Sequence, residues 1–155
     1  MDKQSVPKLD PKYLTGIPGI DKQHNDFLDM SETLLDRLEK EKPSIDYVSV
    51  TFQGIMKLIK IHFETEETLM DMIAFPKAEE HKAKHREIIR LLNKNKRLIK
   101  NRDNDELKRI VGDFKNTVYE HITDFDREYA AHIENLIAIK QKFNITVLKA
   151  QSIVD

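Results

Sequence analysis

Apolar and polar residues recur along this chain with the period of an α-helix. Ile20, His24, Phe27, Ser31, Leu34 and Leu38 step by four, three, four, three and four, so they share one stripe of a helix that ends near Lys40. Asp21 is its expected N-cap. A second stripe runs Val48, Phe52, Ile55, Ile59, His62, Glu66, Leu69 and Ile73, introduced by Pro43 and Ser44, which can cap its start. Phe75 and Pro76 interrupt it. A proline in the first turn with Glu79 and Glu80 close behind suits a third helix, whose inner face carries His81, His85, Ile88, Leu92 and Ile99 and fades at Lys100–Asn104. Asp103 and Glu106 have the spacing of a capping box and open a fourth stripe: Leu107, Ile110, Phe114, Thr117, His121, Phe125 and, less regularly, His132, Leu136 and Ile139.

Four amphipathic helices with short connections predict an all-α fold, an up-and-down antiparallel four-helix bundle. Residues 1–19, with Gly16, Pro18 and Gly19, read as an N-terminal arm, 20–140 as the bundle and 141–155 as a C-terminal tail. The closing ITVLKAQSIVD is apolar enough to pack and too short to be a domain.

Composition narrows the chemistry. The length of 155 residues suits one domain, and only 4 Gly and 5 Pro against 34% charged residues favour long helices. With 26 basic and 27 acidic residues the net charge is -1, so no global field draws the chain to nucleic acid or to an anionic membrane, and neither is an expected partner. The absence of cysteine excludes disulfides, thiolate zinc sites, iron–sulfur clusters and thiol catalysis, leaving histidine and carboxylate chemistry. No apolar run has the length of a signal peptide core or a membrane span, so a soluble, cytoplasmic protein is expected.

Five of the six histidines, His24, His62, His81, His85 and His121, stand where the stripes call for Leu or Ile, and Glu66 joins them. Burying an imidazole unpaired costs on the order of 1–3 kcal/mol, and a buried unpaired carboxylate costs more. A single histidine on an apolar face is more often a hydrogen-bonded core residue than a ligand. Five, with a glutamate beside them and all four helices represented, point to a metal centre. His62 and Glu66 stand at i and i+4, as do His81 and His85, so each pair projects from one face about one turn apart. Asp126, five residues after His121, falls about 140° around a regular helix, so periodicity alone does not bring it inward. His132, eleven residues after His121, lies roughly 16 Å further along the axis, beyond reach of the same cluster. The charge runs LEKEKP and NKNKRLIKNRDND read as solvated helix ends, and Met56, Met70 and Met72 as gap-filling core or near-core residues.

QHNDF at Gln23–Phe27, HFETEE at His62–Glu67, FPKAEEHKAKH at Phe75–His85 and HITDFD at His121–Asp126 resemble the four ligand segments of the hemerythrin family, over about residues 16–130. The resemblance implies two non-haem iron ions: His81, His85 and His121 on one, His24 and His62 on the other, with Glu66, Asp126 and an oxo or hydroxo group bridging them. It thereby implies that Asp126 points inward through a local adjustment of the fourth helix. The iron with fewer histidines keeps an open position, where the resemblance implies that dioxygen binds reversibly. Phe63 and Val118 are candidates for the dry wall around it, although Phe63 reads equally well as one more aromatic at the bundle seam. Thr117 stands where the family commonly has Trp, and the chain has no Trp at all, so a roomier or wetter pocket is expected.

The leading functional expectation is therefore oxygen storage, transport or delivery, without catalysis. Two other classes compete: an oxygen or redox sensor read by a separate partner protein, and a di-iron enzyme reducing peroxide or nitric oxide, which a wetter pocket at Thr117 would favour.

Overall fold

The computed structural model describes residues 9–151. Helices α1 (Pro18–Lys40), α2 (Ile45–Met72), α3 (Ala78–Leu98) and α4 (Asn104–His121) are followed by a π-helical turn, Ile122–Asp126, and by α5 (Arg127–Gln151), which continues the α4 rod. α2 packs against α1 and α3, and α4 against α1 and α3, so the chain forms a four-helix bundle with consecutive helices as neighbours. The inward stripes meet in an apolar layer containing Leu34, Leu38, Phe52, Ile55, Leu92 and Phe114, all essentially inaccessible to water.

Helix starts follow local chemistry. The Ser44 hydroxyl accepts from the Tyr47 amide at 3.2 Å and begins α2. The Asp103 carboxylate accepts from the Glu106 amide at 2.9 Å and begins α4, while the Glu106 side chain turns to Arg102 at 2.7 Å. The first helix departs from expectation. It begins at Pro18, with Ile17 at the cap position and no side-chain cap, because proline at the first helical position needs no amide partner. Asp21 lies inside the first turn and ties down the preceding strand of chain, accepting from the Thr15 amide (2.8 Å), the Thr15 hydroxyl (2.7 Å) and the Gly16 amide (3.1 Å). Gly16 has φ 81°, a left-handed conformation that glycine adopts without penalty.

The connection from α2 to α3 explains why the apolar pattern breaks at Phe75. The Phe75 amide donates to the Met70 carbonyl (2.9 Å) and the Ala74 amide to the Asp71 carbonyl (3.2 Å), the paired bonds of a Schellman motif. Ala74 occupies its left-handed position at φ 49°. The motif clamps Phe75 against Met70, and these two side chains form a small second core with Tyr129 of α5. Three expectations change in consequence. Met70, rather than Leu69 or Ile73, takes the inward place; Met72 is 79% exposed instead of near-core; and Pro76 lies in the turn before α3 instead of in its first turn.

The arm and the tail behave differently. From Leu9 to Ile17 the arm lies on the bundle: Leu9 is buried with its amide on Asn25 (3.1 Å), Tyr13 stacks near Tyr119 (4.3 Å), and Arg127 donates to the Lys12 carbonyl (3.2 Å). Residues 1–8 of the expected arm and 152–155 of the expected tail lie outside the described residues. α5 crosses the expected 140/141 boundary without a break. Leu136 and Ile139, expected on the inner stripe, are 39% and 63% exposed, because the second core is the last surface the rod meets and it ends near Ile133.

Candidate metal centre

One layer of the bundle interior is polar. α1 contributes His24, α2 His62 and Glu66, α3 His81 and His85, α4 His121 and the π-turn Asp126, each 3% exposed or less. The i, i+4 pairs on α2 and α3 present their donors one turn apart, as their spacing requires. Asp126 comes inward because the turn from Ile122 to Asp126 is π-helical: widening the repeat from four to five residues sets Asp126 over His121. Phe125, expected inward on a regular helix, is displaced to the side and stacks on the His121 ring at 5.3 Å.

The five imidazoles all turn Nε2 toward the centre. The His24 and His62 Nε2 atoms stand 3.1 Å apart, and His121 Nε2 lies 3.0 Å from that of His81 and 3.1 Å from that of His85. The carboxylates lie between these groups. Asp126 reaches His24 with Oδ2 (3.1 Å) and both His81 (3.1 Å) and His121 (3.0 Å) with Oδ1. Glu66 Oε2 lies 3.3 Å from His62 and 3.2 Å from His85. Two ligand sets result, one of Glu66, His81, His85, His121 and Asp126, the other of His24, His62, Glu66 and Asp126, the donor atoms of each lying within 4.8 Å of one another. Both carboxylates belong to both sets.

Such a cluster is unfavourable without a cation. Glu66 Oε2 and both Asp126 oxygens are buried with no hydrogen-bond donor assigned to them. Burial and then the charge of His24 lower His62 to about 3, and burial and then His121 lower His85 to about 2, so both rings are neutral, the form that binds metal. Burial and the neighbouring Asp126 charge push Glu66 well above the usual carboxylate range. For Asp126 burial acts upward, but His121, His24 and His81 outweigh it and hold the carboxyl well below its ordinary value.

Three residues that the stripe pattern passed over complete the site. Gln23 Oε1 meets His62 Nδ1 at 3.0 Å, and Glu67 Oε1 meets His85 Nδ1 at 2.9 Å; each fixes its ring with Nε2 inward. Tyr129, fully buried, donates its hydroxyl to Glu66 Oε1 at 2.6 Å. Burial and then the Glu66 charge raise its hydroxyl far above the ordinary value, so it stays a donor. Gln23 and Glu67 adjoin ligands in the chain, a signal available in the sequence. Tyr129 stands three residues after Asp126 and falls inward only once the π-turn has shifted the register.

Beside the polar layer lies a small cavity of about 10 Å³, bounded by His24, His62, His121 and Asp126 and by Phe27, Ile59, Phe63 and Val118, among others. That volume is about one water-sized probe. Phe63 and Val118 thus lie where the expected wall is, and Phe63 also stacks face to face on His85 at 3.7 Å. Thr117 does not line the cavity. It is half-buried with its hydroxyl on the Asp113 carbonyl (2.9 Å), and Val118, one residue on, turns inward in its place. His132 packs on Phe75 at 5.5 Å and belongs to neither ligand set.

Seven nitrogen- and oxygen-donor side chains, with shared carboxylates and no sulfur, fit a pair of borderline-to-hard cations. No curated protein matches the chain. The hemerythrin HHE cation-binding domain matches residues 15–133, which span every ligand position from His24 to Asp126 as well as Tyr129. The chain therefore belongs to the hemerythrin HHE cation-binding family.

Proposed function

We propose that this chain binds dioxygen reversibly at two iron ions, storing or delivering the gas without catalysing a reaction. One observation carries the reading: the two ligand sets share both carboxylates but differ in histidine number, and a small apolar cavity borders His24 and His62 of the smaller set as well as His121 of the larger. His81, His85 and His121 would hold one ion, His24 and His62 the other, with Glu66 and Asp126 bridging. Reduced iron supplies the electrons that bind dioxygen, and the poorer set leaves it a position.

The chain's own residues then do the selecting. Phe27, Ile59, Phe63 and Val118 keep water and protons away from that position, which favours release of the gas unchanged over its reduction. Gln23 and Glu67 hold the His62 and His85 rings in the ligating orientation, and Tyr129 holds a proton against Glu66 Oε1. At about one water-sized probe, the cavity suits a small ligand. Thr117, the position at which a wetter pocket would favour peroxide or nitric oxide reduction, does not line that cavity.

The test is anaerobic loading with Fe(II) followed by oxygen. The expected result is uptake stoichiometric with the iron pair and a visible absorption band that disappears under vacuum. Continuous oxygen consumption with no reversible band would overturn the proposal.

A further inference from the structure

We infer that the groove between α2 and α3 is a docking surface for an acidic segment of a partner protein. Arg86, Arg90, Asn93, Arg97 and Lys100 step by four, three, four and three, so they form one exposed stripe along α3 and its end, facing Lys57 and Lys60 of α2. Residues 84–102 hold eight basic side chains and one acidic one, in a chain whose net charge is -1. Cavities run along the same groove: one of about 350 Å³ is lined by Lys60, Arg86 and Arg90 together with Glu64 and Glu67, one of about 210 Å³ includes Lys57 and Lys60, and a third Arg97 and Lys100.

Several exposed lysines on other faces have carboxylate partners: Lys22 with Asp26, Lys40 with Asp36 and Lys77 with Glu128. Among the described residues none of Lys57, Lys60, Arg86, Arg90, Arg97 and Lys100 makes an ion pair, and the like charges at Arg86 and Arg90 stand at i, i+4, an arrangement that works against the helix. An acidic partner relieves that repulsion. Nucleic acid is disfavoured because the rings at the groove's end, Phe63 and His85, are buried and stacked on each other and so offer bases little open face, and a bilayer because the cations rim concave cavities instead of flanking protruding apolar side chains.

Position gives the surface its interest. The groove ends on Phe63, His85 and Glu67, and Phe63 also bounds the inner cavity. A partner seated here touches the outer side of the wall that encloses the smaller ligand set. This inference stands whatever small molecule the inner cavity takes.

The test uses the metal-loaded full chain and a dye-labelled poly-L-glutamate peptide, followed by fluorescence anisotropy. Binding that weakens with salt is expected, with exchange protection at Lys57–Lys60 and Arg86–Lys100. The double variant Arg90→Glu/Arg97→Glu should weaken it on the order of tenfold or more, whereas Lys22→Glu/Lys40→Glu, the same charge change on α1, should leave it nearly unchanged. Equal losses in the two variants would overturn the inference. So would a single-stranded oligonucleotide or phosphatidylserine vesicles binding the groove more tightly than the peptide.

Discussion

At one end of the bundle Leu34, Leu38, Phe52, Leu92 and Phe114 fill the inward positions of α1 to α4. About two turns further along, the same stripes carry His24, His62, His81, His85 and His121. The geometry is shared and the energetics are opposite. Each fully buried apolar side chain at the first end stabilises the fold by about 1.5–3 kcal/mol. Each buried polar group at the second end costs about 1–3 kcal/mol until something satisfies it. The apolar end holds the helices in register so that the polar end can keep its donors aimed at a cation.

That contrast can be broken in stages. The largest effect is expected at the apolar end, where Phe52→Ala should cost about 3–5 kcal/mol in chemical denaturation whether or not metal is bound. At the polar end Glu66→Ala should act through the metal instead. Glu66 belongs to both ligand sets, so the variant should lose metal, together with the roughly 2.7 kcal/mol that a metal at a hundred times its dissociation constant adds to stability. Its metal-free melting temperature should hardly fall; a large fall would mean that the polar end supports the fold unaided. Tyr129→Phe should weaken metal binding by about ten- to a hundredfold, the usual effect of losing a group that orients a ligand, and isothermal titration would measure it.

Acid should distinguish the two ends further. The folded values of His62 and His85, about 3 and 2, lie below the ordinary 6.5, so the unfolded chain binds protons first as the pH drops. The stability these residues permit is complete above 6.5 and is lost as pH falls toward 3, so metal-free melting temperatures should drop over that window. Glu66 acts with the opposite sign, because its raised value means a contribution present below 4.5 and lost as pH rises through the folded value. Replacing His62 and His85 with Leu should flatten the acid side. The smallest effect is expected at the α2–α3 turn, where Ala74→Gly should raise stability by about 1 kcal/mol in thermal melts by relieving the left-handed alanine.

Most of the ligand set was legible because ligands replace apolar residues without disturbing the helical period. His24, His62, Glu66, His81, His85 and His121 all sit on stripes that neighbouring Leu, Ile and Phe define. Asp126 was not legible from periodicity, since a five-residue step leaves the inner face of a regular helix; only resemblance to the family suggested it, and the π-turn supplies the physical means. Tyr129 was lost for the same reason: the stripe continued through Phe125 to His132, one register away from the one the π-turn creates. A stripe position says which side of a helix faces inward but not which of two adjacent residues lines a small cavity; here Val118 does and Thr117 does not.

Local chemistry written in the chain was enough to set helix count, helix starts at Ser44 and Asp103, the apolar layer and the donor types of the polar one. These rest on spacing, capping and burial, which each segment expresses by itself. Which donors share a centre, which nitrogen of each ring points inward, and how many ligands each set receives were decided only when four helices packed together. Those properties belong to atoms brought to within 4.8 Å of each other from residues up to a hundred positions apart in sequence, as with His24 and Asp126. The register shift at Ile122–Asp126 decided the rest, because it turns a carboxylate inward that a regular helix would leave to one side.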